Sequence, residues 1–118
     1  MKRPPVAVVV VSVIYLITGI VTLIFHSLEA SRTPRLESDI FWILLVCLLA
    51  VVAGAFMLRG YDWARWLALA WMAFHVALSA FHAMRELAVH SLMLVLFAYL
   101  LFRPESRSWF RRSPTAAA

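Results

Sequence analysis

Charged residues are scarce in this sequence, and several long stretches contain none. Asp, Glu, Lys and Arg make up 14% of the 118 residues, hydrophobic residues make up 64%, and the mean hydropathy is +0.89. This composition excludes an ordinary water-soluble domain of this size. The chain also lacks a Gly-rich phosphate loop and a pair of carboxylates inside any apolar run, and its one cysteine, Cys47, excludes an internal disulfide.

The apolar runs are long enough to cross a bilayer. We predict an all-α, polytopic membrane protein, a four-helix transmembrane bundle with spans at residues 6–25, 40–58, 64–84 and 87–103. Residues 1–103 would form this transmembrane domain and residues 104–118 a basic cytoplasmic tail. Lys2 and Arg3 would also suit a signal peptide, but the first run is too long for one and no good cleavage site follows it.

Basic residues fall mainly on one side of a four-span arrangement. Eight of the eleven share that side: Lys2, Arg3, Arg59, Arg65, Arg103, Arg107, Arg111 and Arg112. The positive-inside rule therefore places both termini in the cytoplasm, in a cell inner membrane. Because this orientation accounts for the formal charge of +5, nucleic acid is not expected as a partner.

Aromatic and basic residues near the ends of the runs predict contacts with the lipid interface. They are Trp42, Tyr61, Trp63, Trp66, Arg103, Arg107, Trp109, Arg111 and Arg112. In the cytoplasmic hairpin "LRGYDWAR", Gly60 suits a left-handed residue that ends one helix, and Asp62 suits the N-cap of the next. Ser38 and Asp39 would cap the second span in the same way.

The segment "GAFMLRGYDWARWLAL", the following His-containing span and the closing "YLLFRP" carry a family resemblance. They resemble small four-helix bacterial inner-membrane proteins of unknown function with a Gly-x-x-Trp-Ala-Arg cytoplasmic hairpin. The resemblance covers about the last two-thirds of the chain. It implies a bacterial origin and the same bundle, and it implies no catalytic residues.

Small and polar residues recur at helical spacing inside the apolar runs. Ser12, Tyr15, Gly19, Thr22 and His26 are separated by three, four, three and four positions, so they share one helix face. Such faces pack against other helices in lipid. The predicted bundle interface consists of Ser12, Tyr15, Gly19, Thr22, Gly54, Ala73, Ala77 and Ser79.

Histidines are the candidates for chemistry. His26, His82 and His90 are predicted at one depth near the outer face, with His75 deeper on the face of His82 and with Glu86 near them. As ligand or proton-relay groups, these residues could hold a haem or a divalent metal, hydrogen-bond a quinone, or pass protons. Ordinary hydrogen bonds near the headgroups explain them better, since no metal-binding motif is present.

The function expected from these patterns is that of a non-enzymatic accessory or interaction subunit, or a small oligomer. Its partners would be membrane lipids and other membrane-protein subunits or copies of itself. A redox subunit that binds haem, metal or quinone through the histidines is the first alternative. A small proton-coupled transporter is the second, although the first span lacks the embedded carboxylate that such pumps use.

Overall fold

A computed structural model describes residues 3–32 and 38–111 of the chain. Within these ranges the protein is all-helical, and it contains no strand. The five helices are α1 (Val6–Arg32), α2 (Ser38–Leu58), α3 (Asp62–Ser79), α4 (Met84–Leu101) and α5 (Pro104–Arg111). Gly60 adopts a φ of +86° between α2 and α3, which confirms the left-handed residue predicted there.

Three helices are long and apolar enough to cross a membrane: α1, the part of α2 from Asp39 to Leu58, and α4. Large apolar side chains on their outer surfaces are exposed, including Phe25, Phe41 and Leu92. Such a surface is compatible with a membrane protein, because water would disfavour it. Helix α3 has the same length as α4 but is less apolar, with Trp and Ala where α4 has mainly Leu and Val.

Helices α1 to α4 form an antiparallel bundle. Helix α1 packs against α2 and α4, and α3 packs against the same two helices. The closest approach is between α1 and α2 at two glycines. A Cβ added to Gly54 would lie 2.8 Å from the carbonyl oxygen of Ser12, and one added to Gly19 would lie 3.0 Å from that of Cys47.

The boundary between α3 and α4 differs from the sequence prediction. We predict the turn at Arg85 and Glu86, whereas α3 ends at Ser79 and residues 80–83 form the turn. Backbone bonds from His82 N–H and Ala83 N–H to the Ser79 carbonyl close this turn. The turn contains no glycine or proline and is rich in apolar residues, so hydropathy extends the predicted third helix through it.

Asp62 and the two residues predicted to cap α2 also differ from expectation. The N-cap position of α3 is Tyr61, without a side-chain cap bond, and Asp62 is the first helical residue. Its carboxylate instead forms an ion pair with Arg65, one helical turn away. Ser38 and Asp39 lie inside the first turn of α2 rather than before it.

Residues 104–111, the described part of the predicted basic tail, fold back on the α2–α3 hairpin. In α5, the Trp109 indole N–H donates to the carbonyl oxygen of Met57 at 3.0 Å, and Phe110 is 1% exposed. The Ser106 hydroxyl donates to the carbonyl oxygen of Leu100 at 2.7 Å. Packing with α2 and α4 therefore holds one face of α5, while its other face carries the exposed Arg107.

Candidate functional site: a cavity between the four helices

All four helices of the bundle contribute to one cavity of about 460 Å³. It lies toward the end of the bundle that carries the α3–α4 turn, because its walls come from the first half of α2, the second half of α3 and the middle parts of α1 and α4. The volume falls in the range of small-molecule sites. Trp42 and Leu78 in the wall are exposed, so the cavity is open rather than sealed.

Aromatic rings line the deeper part of the cavity. The Tyr15 ring lies 5.3 Å from the Trp71 ring and 5.7 Å from the Phe97 ring, measured between centroids. The Tyr15 hydroxyl donates to the carbonyl oxygen of Ala68 at 2.5 Å, and the Trp71 indole N–H donates to that of Val46 at 2.8 Å. These bonds join α1 to α3 and α3 to α2, so both rings have fixed orientations.

Two histidines, His75 from α3 and His90 from α4, face each other across the cavity wall, with ring centroids 6.1 Å apart. His75 Nδ1 lies 2.9 Å from the carbonyl oxygen of Trp71, and the two rings stack with centroids 3.8 Å apart. His90 Nδ1 lies 2.9 Å from the carbonyl oxygen of Glu86. A carbonyl oxygen only accepts hydrogen bonds, so the proton of each imidazole is on Nδ1.

Ser79 connects the two histidines. Its hydroxyl donates to the carbonyl oxygen of His75 at 2.8 Å, and its oxygen lies 2.7 Å from His90 Nδ1. The serine oxygen therefore accepts the same Nδ1 proton that the Glu86 carbonyl accepts. In the neutral state, each imidazole then has an unprotonated Nε2 that acts as a hydrogen-bond acceptor. The cavity thus contains two imidazole acceptors in a lining that is mainly aromatic and aliphatic.

The other residues predicted for the histidine site, His26, His82 and Glu86, lie in different environments. His26 lines the cavity from α1, and its Nδ1 lies 3.6 Å from a carboxylate oxygen of Glu29. His82 lies in the α3–α4 turn, exposed and outside the cavity, with Nδ1 bonded to the Leu78 carbonyl at 2.8 Å. Glu86 is exposed in the first turn of α4 and contributes only its backbone carbonyl to the site. The structure therefore places His26 and His90 in the cavity wall and His82 outside it, because α3 ends before His82.

In residues 3–32 and 38–111, no three His, Cys, Asp or Glu side chains come together in a group able to hold a metal ion. Within the same ranges, the residues that line the cavity include no carboxylate.

The residues predicted for the bundle interface fall into three groups. Ser12, Tyr15, Gly19, Gly54 and Ser79 are buried between helices. Thr22 lines the cavity, and its hydroxyl donates to the carbonyl oxygen of Thr18 at 2.6 Å. Ala73 and Ala77 are exposed on α3 and do not pack inside the chain.

The residues predicted for the lipid interface are also distributed unevenly. Trp42, Trp63 and Trp66 are exposed, and Tyr61 and Arg103 are partly buried. Trp109 is half-buried against the hairpin, as described above, and Arg107 is exposed. The side chain of Arg111 and the whole of Arg112 lie outside the described residues.

Trp71 is not among the residues predicted from the sequence, although its indole donates a hydrogen bond to α2 and its ring stacks on His75. A signal for it exists, because Trp71, His75 and Ser79 recur every four residues and share one face of α3. Cys47 also lines the cavity, and its carbonyl oxygen lies at the contact between α2 and Gly19 of α1.

Comparison of the chain with protein-family models, with curated proteins and with solved structures finds no match. The functional interpretation is therefore based on the cavity and the residues that line it.

Proposed function

We propose that this chain is a four-span inner-membrane accessory protein that holds a small, mainly apolar molecule in the cavity between its helices. The observation that carries the proposal is a cavity of about 460 Å³ with a lining from all four helices and three histidines. Well-packed protein interiors contain few voids larger than a water molecule. A cavity this large, with fixed polar groups in an aromatic lining, has the character of a binding site.

Cys47, the sole cysteine, allows a direct test of the cavity. Benzyl methanethiosulfonate is expected to modify Cys47 in the folded protein, because its side chain lines the cavity. As a matched control, Ala50→Cys in a Cys47→Ser background places the thiol one turn away at a fully buried position outside the cavity. That thiol is expected to react only after unfolding. Equal protection of both thiols in the folded protein would mean that no usable cavity exists.

The four-span arrangement requires that α3 crosses the membrane. Helix α3 lies between α2 and α4 and contacts both, and these two helices are apolar enough to span. Its 18 residues extend about 27 Å, close to the roughly 30 Å of a hydrocarbon core. Its two charged residues, Asp62 and Arg65, pair with each other at the hairpin end. The distribution of basic residues supports both termini in the cytoplasm.

Two loops that flank α3 test this topology in the full chain. Arg59 in the hairpin and His82 in the opposite turn are both exposed. Arg59→Cys and His82→Cys are made separately in a Cys47→Ser background and treated with a membrane-impermeant maleimide on spheroplasts. Labelling at position 82 in intact spheroplasts, and at position 59 only after lysis, is expected. Labelling of both positions from the same side would mean that α3 does not cross.

An accessory role fits the surface as well as the cavity. Ala73 and Ala77 are exposed on α3, and small residues allow a second helix to approach closely in lipid. The proposed partners are thus membrane lipids and other membrane-protein subunits or copies of the chain. The resemblance of the hairpin segment to bacterial four-helix proteins supports the same placement in an inner membrane. Proton-coupled transport has less support, since no carboxylate lines the cavity.

A further inference from the structure

We propose that the cavity binds an aromatic ring that carries hydroxyl groups, the chemistry of a phenol or a hydroquinone, and that it prefers this reduced form over the corresponding quinone. The inference rests on the proposed function, since it names the class of ligand that the cavity takes. The observation behind it is that backbone carbonyl oxygens hold the Nδ1 proton of both His75 and His90.

The two imidazoles are arranged as acceptors. The Nδ1 proton of His75 is engaged by the Trp71 carbonyl, and that of His90 by the Glu86 carbonyl and the Ser79 hydroxyl. In the other tautomer the proton would be on Nε2, and the lone pair of Nδ1 would then face a carbonyl oxygen. Because both groups are acceptors, they would repel each other. Each neutral ring therefore offers an Nε2 lone pair to a ligand that donates.

Three other donors of the lining are engaged by backbone carbonyls. The Tyr15 hydroxyl donates to Ala68, the Thr22 hydroxyl donates within its own helix, and the Trp71 indole donates to Val46. A ligand whose oxygens only accept is therefore left mainly with Thr18 and His26 of α1 as polar partners in the lining. A quinone is such a ligand, whereas a hydroquinone of the same ring donates two hydrogen bonds.

The walls suit a flat ring. Tyr15, Trp71, Phe74 and Phe97 surround the space next to the imidazoles, and aromatic rings pack favourably with rings at centroid distances of 4.5 to 7 Å. The opening at Trp42 and Leu78 lets an apolar substituent on the ring extend toward lipid. Because a lipid acyl chain carries no hydroxyl donor, it would fill the volume but would not use the two acceptors.

The test compares three probes on the full chain in lipid nanodiscs by calorimetry under argon: 2-decyl-1,4-hydroquinone, 2-decyl-1,4-benzoquinone and the dimethyl ether of the hydroquinone. Titration of empty nanodiscs gives the partitioning background. The hydroquinone is expected to bind at least about tenfold more tightly than the quinone or the ether, because neither of these can donate hydrogen bonds to the partly buried imidazole acceptors.

Substitutions assign the preference to the two rings. His75→Phe and His90→Phe retain an aromatic ring and remove the acceptor, so each is expected to weaken hydroquinone binding about tenfold while binding of the dimethyl ether stays unchanged. Unchanged ether binding also shows that the variants are folded. His82→Phe is the matched control, because His82 has the same Nδ1 bond to its own helix but lies outside the cavity. It is expected to behave as the unmodified chain.

Two outcomes contradict the inference. Equal binding of the hydroquinone and the quinone would show that the acceptors do not select the ligand, although the cavity would still be a binding site. An equal loss of hydroquinone binding in His82→Phe and His75→Phe would likewise overturn it. Failure of all three probes to bind, together with failure of the Cys47 labelling, would instead refute the proposed function.

Discussion

Substitution of Gly54 tests whether α1 and α2 pack as closely as the structure shows. A Cβ at this position would lie 2.8 Å from the Ser12 carbonyl oxygen and 2.9 Å from Leu16 Cγ. Real Cβ atoms almost never approach other atoms so closely, and the Ser12 oxygen belongs to the backbone of α1. The two helices must therefore separate to accommodate any side chain.

Two opposing effects set the magnitude. Replacing glycine by alanine in a helix gains up to about 1 kcal/mol of intrinsic helix stability. Overpacking a well-packed contact costs about 1 to 3 kcal/mol. Gly54→Ala is therefore expected to lower the free energy of unfolding by about 1 kcal/mol, when a mid-range packing cost of about 2 kcal/mol is taken. Gly54→Leu gains the same helix propensity but adds three more carbons, so its loss is expected to be about 2 kcal/mol.

Reversible unfolding in mixed micelles with increasing SDS, followed by far-UV circular dichroism, measures these values. Ala73→Leu is the matched control, because Ala73 is exposed on α3, and its effect is expected to stay within about 0.5 kcal/mol. The difference in unfolding free energy between Gly54→Ala and Gly54→Leu measures the cost of the extra side-chain volume, because the two variants have similar helix propensities. If both Gly54 variants match the Ala73→Leu variant, the close approach of α1 and α2 is refuted.

Substitutions at three further positions probe the hairpin, the tail and the deeper part of the cavity. Gly60→Ala is expected to cost about 1 to 2 kcal/mol in SDS unfolding, because φ is +86° and a Cβ favours negative φ, while Gly60→Asn is expected to cost less. Trp109→Phe removes the indole bond to Met57 and is expected to accelerate tryptic cleavage at Arg107, measured by mass spectrometry. Tyr15→Phe removes the bond to the Ala68 carbonyl and is expected to lower unfolding free energy by about 0.6 to 1 kcal/mol.

Each of these has a result that contradicts it. Gly60→Ala and Gly60→Asn with the same unfolding free energy would show that the left-handed conformation does not matter. Cleavage at Arg107 at an unchanged rate after Trp109→Phe would mean that the indole does not hold α5. If Tyr15→Phe has the same unfolding free energy as the unmodified chain, the hydrogen bond from Tyr15 to Ala68 does not stabilise the bundle.

Helix periodicity predicts the buried face of α1 because it depends on neighbours within one segment. Ser12, Tyr15 and Gly19 share a face at 3.6 residues per turn, and the structure buries all three. The left-handed Gly60 is predictable for a similar reason, since few residues other than glycine adopt positive φ easily. The α3–α4 turn escapes such reasoning, because Ala80 and Phe81 have the hydropathy of a continuing helix.

The composition of the chain determines by itself that it folds as apolar helices, because long apolar runs without alternating polarity suit helices, which satisfy their backbone hydrogen bonds within one segment. Only the tertiary structure decides which histidines meet. The end of α3 at Ser79 leaves His82 in the exposed turn and brings His75 and His90 within 6.1 Å in a cavity that four helices enclose. Such a cavity depends on the distances between helices, and a linear pattern of residues contains no measure of those distances.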